Sequence, residues 1–323
     1  MNIEDKIYVP GHRGLAGSSI VRKLQELGFN NLLLKNSSEV NLCNNLEVDN
    51  LFKTEKPDYV FMCAGTVGGI MANKKYPVEF TQNNILMAIN VLSCSYKYNV
   101  KKLLYLGSSC IYPKECKQPI EEEYLMSGKL EDTNEGYALA KVTGVYLTSY
   151  YRREYGVNFI SCIPSNLYGI NDNYDDNSSH VVSSLIKRFH EAKVNNVNEV
   201  IVWGDGTPLR EFTYTDDFAD ACIFLMNNYD GEHHVHIGAN YEYTISKLAS
   251  IIAKVVGYNG NIKFDTSYPN GMKRKVLNSS FILNMGWKPK TSFEDGLKIT
   301  YEDYLKNLNK NNLRKNIIRN DIL

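Results

Sequence analysis

The sequence predicts an α/β protein built on a doubly wound parallel sheet, with a smaller mixed α/β domain supplied by the later part of the chain. Three observations lead there. Short apolar runs at residues 6–9, 31–35, 58–64, 103–106 and 159–163 alternate with helix-period stretches. The first run passes directly into Gly11-His12-Arg13-Gly14-Leu15-Ala16-Gly17. After Gly169 a segment rich in Asn, Asp and Ser breaks the alternation. The spacing is that of right-handed strand–helix–strand units, which form parallel sheets with helices on both faces.

Composition removes several function classes. The chain has 323 residues, 43% hydrophobic, and 36 basic residues balance 36 acidic ones. A neutral chain offers no electrostatic attraction to nucleic acid or to an anionic membrane. Residues 1–5 carry no signal-peptide pattern, and no apolar run approaches the roughly 18 residues of a membrane span. The expected location is cytoplasmic. Seven scattered cysteines without a C-x-x-C pair read as reduced thiols, neither a disulfide framework nor a zinc site, and no metal is expected.

Taken in order, the strand at 6–9 leads into glycines spaced G-x-x-G-x-x-G. The helix after them carries Ile20, Val21, Leu24 and Leu27 and stops at Gly28. Such glycines permit a tight turn and bring backbone amides against a pyrophosphate at a helix N-terminus, so the loop is a candidate dinucleotide site. The run at 31–35 ends without an acid for an adenine-ribose 2′-hydroxyl. With Arg13 in the loop and Lys35 nearby, this favours NADP(H) over NAD. The strand at 58–64 enters a glycine-bearing loop at 65–70. A helix at 77–98, with Ile85, Ala88, Ile89 and Leu92 on one side, leads to the strand at 103–106.

A helix at 135–155 and the strand at 159–163 close this half. His180 opens a helix to about residue 192, 200–203 reads as a strand, and Asp216 or Asp217 is the expected cap of a helix through Met226. Thr244 caps a helix ending near Gly257, 261–264 is a short strand and 293–308 a final helix. Residues 1–169, with 213–240 rejoining them, are expected to form a dinucleotide-binding Rossmann domain. Residues 170–212 and 241–308 form the substrate-binding domain, and 309–323 a partly disordered tail.

The chemistry gathers between Gly107 and Lys141. Gly107-Ser108-Ser109-Cys110-Ile111-Tyr112-Pro113 begins at a strand end, where a nicotinamide lying over the glycine loop would arrive. Tyr137 and Lys141 are four apart on a helix and share one face. A tyrosine whose pKa is drawn towards neutrality by a neighbouring ammonium and by an oxidised nicotinamide protonates a carbonyl oxygen as hydride reaches carbon, and Ser108 orients that oxygen. Cys110 and His180 read from the residues alone as a core thiol and a helix-start residue, or as the partners of a second chemistry, in which a thiolate removes a proton beside a ketone and a histidine returns one to the opposite face.

The glycine loop, Val67-Gly68-Gly69-Ile70, Gly-Ser-Ser-Cys-Ile-Tyr-Pro, Tyr137-Ala-Leu-Ala-Lys141, Pro164-Ser-Asn-Leu-Tyr-Gly169, Ser179-His-Val181 and the stretch from Trp203 to Arg210-Glu-Phe closely resemble the GDP-L-fucose synthase family of extended short-chain dehydrogenases. The resemblance runs to about residue 305. It implies an NADPH-dependent homodimer acting on a GDP-4-keto-6-deoxy sugar as 3,5-epimerase and 4-reductase. Ser108, Tyr137 and Lys141 would be the reductase triad, and Cys110 and His180 the epimerisation base and acid. It also implies cofactor contacts from Gly11, His12, Arg13, Gly14, Leu15, Gly17, Lys35, Leu106, Gly107, Ser109, Pro164, Asn166 and Leu167. Arg188, Trp203, Arg210 and Asn278 would hold the GDP-sugar.

This chain departs from the family pattern at Ser37 (commonly Arg), Thr66 (usually Lys), Asn278 (an aspartate) and in the loop at 170–176. A related GDP-4-ketohexose or GDP-4-ketoheptose therefore fits equally well, and a reductase without the epimerisation step, acting on a GDP-4-keto-heptose, is the alternative. An NAD-dependent nucleotide-sugar 4-epimerase or dehydratase is the nearest other enzyme, and a catalytically silent dinucleotide-binding protein the non-enzymatic reading.

Overall fold

The computed structural model describes residues 1–176, 178–268 and 270–314. The first half runs β1 (Ile7–Tyr8), α1 (Leu15–Glu26), β2 (Leu32–Leu33), α2 (Asn45–Glu55), β3 (Tyr59–Met62), α3 (Ile70–Lys75), α4 (Pro77–Lys97), β4 (Lys102–Leu106), α5 (Glu135–Tyr155) and β5 (Phe159–Pro164). It continues with β6 (Asn166–Tyr168), α6 (Val181–Val194), β7 (Glu199–Trp203), β8 (Leu209–Tyr214), α7 (Thr215–Asn228), β9 (Val235–Ile237), β10 (Glu242–Thr244) and α8 (Ile245–Val256). The last elements are β11 (Asn261–Asp265), β12 (Arg274–Lys275), α9 (Ser280–Asn284) and α10 (Phe293–Asn309).

Six strands form the main sheet in the order β2-β1-β3-β4-β5-β9, and every pairing in it is parallel. Because β2 lies on one side of β1 and β3 on the other, the strand order reverses at β1, and a crevice opens there at the carboxyl ends. Side chains alternate with period two. Tyr8, Val60, Met62, Leu103, Tyr105, Phe159 and Ile163 pack beneath α2, α4 and α5 with Phe52, Val91 and Val145. Ile7, Val9, Phe61, Leu104, Leu106, Ile160 and Cys162 face α1 and α7, against Ile20, Leu24, Phe218 and Cys222. A sheet buried on both faces gains about 1.5–3 kcal/mol for each fully buried large apolar side chain, which fixes the strand ends that carry the site.

The smaller part has its own core, built on Leu185, Phe189, Leu248, Ile252, Phe293 and Leu297. Its strands are β10-β8-β12 with β6 beside β8, and a separate parallel pair, β7 with β11. Thr244 caps α8 as its position predicts: its hydroxyl accepts from Lys247 N at 3.1 Å, and Gly257, with φ +75°, ends the helix.

Several elements differ from expectation. Helix α2 escapes the pattern because its apolar positions Val48, Leu51 and Phe52 lie among Asn and Asp; Asn44 starts it by accepting from Leu46 N at 3.1 Å. The loop after β3 ends at Gly69, where α3 begins. Helix α7 is not capped by Asp216 or Asp217. It starts a residue or two earlier, at Thr215, both acids lie in its first turn, and Asp217 accepts instead from Lys290 N at 3.1 Å and Thr291 N at 3.0 Å. Carboxylates there still suit the positive end of the helix dipole. Ile89, grouped by periodicity with buried Ala88 and Leu92, is 42% exposed. The expected tail is described from 309 to 314, and the rest of it lies outside the described residues. Among the described residues no helix is long and apolar enough to cross a membrane.

Candidate active site

The crevice at the sheet's carboxyl edge is a cavity of about 760 Å³. Its floor is the glycine loop. Gly11 has φ +86°, and a Cβ built there would stand 2.6 Å from Ala64 N; one built on Gly17 would stand 2.2 Å from Gly11 O. No side chain fits at either position, so the backbone closes tightly between β1 and α1. Gly14, the residue before α1, supplies no side-chain cap, which leaves the first amides of the helix directed at the cavity. Uncapped amides at a positive helix end, in a cradle that tolerates only glycine, fit a dinucleotide diphosphate.

Every cofactor residue named from the sequence borders this cavity: Gly11, His12, Arg13, Gly14, Leu15 and Gly17 from the loop, Lys35, Leu106, Gly107, Ser109, Pro164, Asn166 and Leu167. At the end beyond β2, Asn36, Ser37 and Ser38 join Lys35. Glu39 caps its own turn by accepting from Asn36 N at 2.9 Å and pairs with Lys35 at 3.4 Å.

Ser108, Tyr137 and Lys141 meet at the centre. Ser108 ends β4's extension and starts a turn of 3-10 helix, Ser109–Ile111, its Oγ accepting from Cys110 N at 3.3 Å. Lys141 is 3% exposed, donates to Leu106 O at 2.8 Å, and lies 6.0 Å from the centre of the Tyr137 ring. The expected lowering of the Tyr137 pKa is not found in the protein alone. Burial pushes the phenol up and the neighbouring Cys110 adds to the rise, against a hydrogen bond with Ser108 that acts the other way. Burial also brings Lys141 down to about 8, which weakens the cation meant to draw the tyrosine down.

Cys110 and His180 open into the same cavity. Burial raises the Cys110 thiol, but the charge of Lys275 and hydrogen bonds from Ser108, Lys275 and Asn134 outweigh it, and the net shift is downward. His180 precedes α6 at the cavity mouth, where solvent reaches it; crowding by protein, then Lys275 and Arg314, lower its pKa. Lys275, Asn134, Asp172 and Arg314 are among the lining residues that no sequence motif singles out.

Arg188, Trp203, Arg210 and Asn278 do not border this cavity. The first three gather on the smaller domain. Trp203 stacks on Tyr268, Tyr268 bears on the charge of Arg188, and Arg188 donates to Ile201 O. Arg210 donates to Leu209 O at 2.8 Å and reaches towards Gly271. Asn278 belongs elsewhere: its amide donates to both oxygens of Glu121 at 3.0 and 2.8 Å, and its carbonyl accepts from His236 at 3.0 Å. It pins loops together. The asparagine beside the Trp203 group is Asn270, which accepts from Asp205 N at 2.8 Å.

Residues 7–238 match the NAD dependent epimerase/dehydratase family. The chain is 52% identical to a putative GDP-L-fucose synthase 2 of Arabidopsis thaliana, over 94% of this chain and 92% of that one, and 51% identical to GDP-L-fucose synthase 1 of the same plant, over 94% of each. A Campylobacter jejuni GDP-mannoheptose C4 reductase solved with NADP bound superposes with a TM-score of 0.88 at 36% identity, covering 94% of this chain and 99% of that one. With its glycine loop, Ser–Tyr–Lys group and strand order all in place, the chain belongs to the GDP-L-fucose synthase group of the NAD dependent epimerase/dehydratase family.

Proposed function

We propose that this chain reduces the 4-keto group of a GDP-linked 4-keto sugar with NADPH, and that Cys110 and His180 first epimerise carbons beside the ketone. One observation carries the reading: Ser108, Tyr137 and Lys141 share a single cavity with Cys110, His180 and the glycine loop. The glycine loop would hold NADPH, and the chemistry it would supply when bound is a hydride for C4. Ser108 holds the ketone oxygen, and Tyr137 gives it a proton as charge develops there. Lys141 remains fixed by Leu106 O beneath the tyrosine. In the epimerisation Cys110 takes the proton beside the ketone, and His180 delivers one to the opposite face.

A 6-deoxyhexose is the favoured sugar, because relatives named GDP-L-fucose synthase stand at 51–52% identity and the mannoheptose reductase at 36%. Arg188, Trp203, Arg210 and Tyr268 make a platform for the GDP end, with guanidinium groups for diphosphate and an aromatic face for the base. The chain acts as a homodimer through α4 and α5, whose outward faces carry Ile89, Tyr96, Leu139, Tyr150 and Tyr155, all at least 40% exposed. Seven free cysteines suit the reducing cytoplasm.

The test is product analysis from GDP-4-keto-6-deoxymannose and NADPH in deuterated water. Net NADPH oxidation with deuterium at C3 or C5 supports both steps. Oxidation without deuterium leaves a reductase only, and turnover without net oxidation contradicts the reading in favour of a 4-epimerase.

A further inference from the structure

We propose that Lys275 holds Cys110 as the thiolate, making it a positioning residue for proton abstraction delivered by the smaller domain to the main sheet. The inference rests on the epimerase reading only for the use to which the thiolate is put.

The Lys275 ammonium donates to Cys110 Sγ at 3.3 Å, across 165 residues of chain. Its place is fixed by its neighbours. Arg274 forms a two-pronged pair with Glu242, Val276 N donates to the Gln118 side chain at 3.0 Å while its carbonyl accepts from Ile120 N at 2.7 Å, and Leu277 N donates to the buried Glu211 carboxylate at 3.1 Å. With both flanks pinned, the side chain between them is directed into the cavity. Among the described residues no carboxylate forms an ion pair with Lys275; its hydrogen bond goes to the Cys110 sulfur, and its charge also bears on Cys116 and His180.

The other groups facing Cys110 are Ser108 and Asn134, which hydrogen-bond the sulfur, and Tyr137 on α5, whose phenol the thiolate discourages from ionising. Lys275 also acts on His180, lowering the imidazolium's pKa and so making it a readier donor. In the step itself the C–H bond beside the ketone breaks and S–H forms. The C–H electron pair becomes the enolate C=C, and the carbonyl π pair moves to oxygen. His180 then gives its proton to the other face as the C=O re-forms. Exchange of both groups with solvent restores the resting state, so no electrons and no co-reactant are consumed.

The test is the pH profile of Cys110 alkylation by iodoacetamide, read on the Cys110 peptide by mass spectrometry, in the wild type, Lys275→Met and Lys275→Arg. The wild-type inflection is expected below the ordinary thiol range. Lys275→Met should move it up by one unit or more, so that alkylation near neutral pH slows about tenfold, while Lys275→Arg keeps most of the rate. An unchanged profile in Lys275→Met overturns the proposal. Should that variant not fold, the thiolate absorbance titration of the wild type minus Cys110→Ala decides, and an inflection within or above the ordinary range overturns it. A profile that follows Lys275 while no solvent deuterium enters the product upholds the lysine–thiolate pair and removes only the epimerase reading.

Discussion

The rings of Trp203 and Tyr268 lie face to face, their centres 4.4 Å apart and their planes within 3° of parallel. Tyr268 thereby props one face of an indole that remains 55% exposed. Trp203→Ala is expected to raise KM for the GDP-sugar about five- to tenfold with kcat little changed, the loss of one base-stacking contact. Tyr268→Ala, which removes only the prop, should raise it about threefold. Steady-state kinetics with saturating NADPH measure both, and equal effects would contradict this division of roles.

Arg314 comes from the segment beyond α10, donates to Asn171 O at 3.0 Å and brings a guanidinium nitrogen 4.0 Å from where a Gly14 side chain would begin. It therefore overlooks the diphosphate cradle. Arg314→Ala should weaken NADPH binding about tenfold, in the range of one charge-assisted hydrogen bond, and make that affinity less sensitive to salt. Fluorescence titration with NADPH checks both, and an unaltered Kd would confine Arg314 to holding the tail.

Asp172 is 1% exposed, and burial drives its pKa up to about 7 against the pull of Asn173 N, Arg314 and Ser183. A carboxyl whose folded-state pKa lies above its unfolded value contributes stability that is complete below the unfolded pKa and is lost as pH rises through the folded one. The wild type should therefore lose stability relative to Asp172→Asn between about pH 4 and about pH 8, by an amount of order a few kcal/mol. Urea midpoints at the two ends of that range supply the comparison; parallel curves would show that Asp172 stays ionised throughout.

Sequence alone located the cavity because its central parts lie at strand ends and on one helix face, where local pattern dictates geometry. Gly11 to Gly17 and Ser108 to Cys110 follow apolar runs, and Tyr137 and Lys141 are one helical turn apart. Lys275, Arg314 and Tyr268 are not legible in the sequence, since they come from a short strand, the segment beyond α10 and a loop, and their relation to Cys110, Gly14 and Trp203 exists only in tertiary structure. The bond of Asn278 to Glu121 is likewise tertiary, since 157 residues of chain separate the two, and no local pattern announces it. The adjacency of Tyr137 to Lys141 is visible in the sequence, whereas the burial that raises the phenol and lowers the amine in the protein alone is not.

The most direct measurement is NADPH oxidation by the wild type and Tyr137→Phe with GDP-4-keto-6-deoxymannose. The wild type should consume one NADPH per product. Tyr137→Phe, which keeps the ring but has no proton to give, should lose about 10²- to 10⁴-fold in kcat while still binding cofactor. Near-normal turnover in Tyr137→Phe, or a wild type that converts the sugar and returns its cofactor unchanged, would contradict reduction at this site.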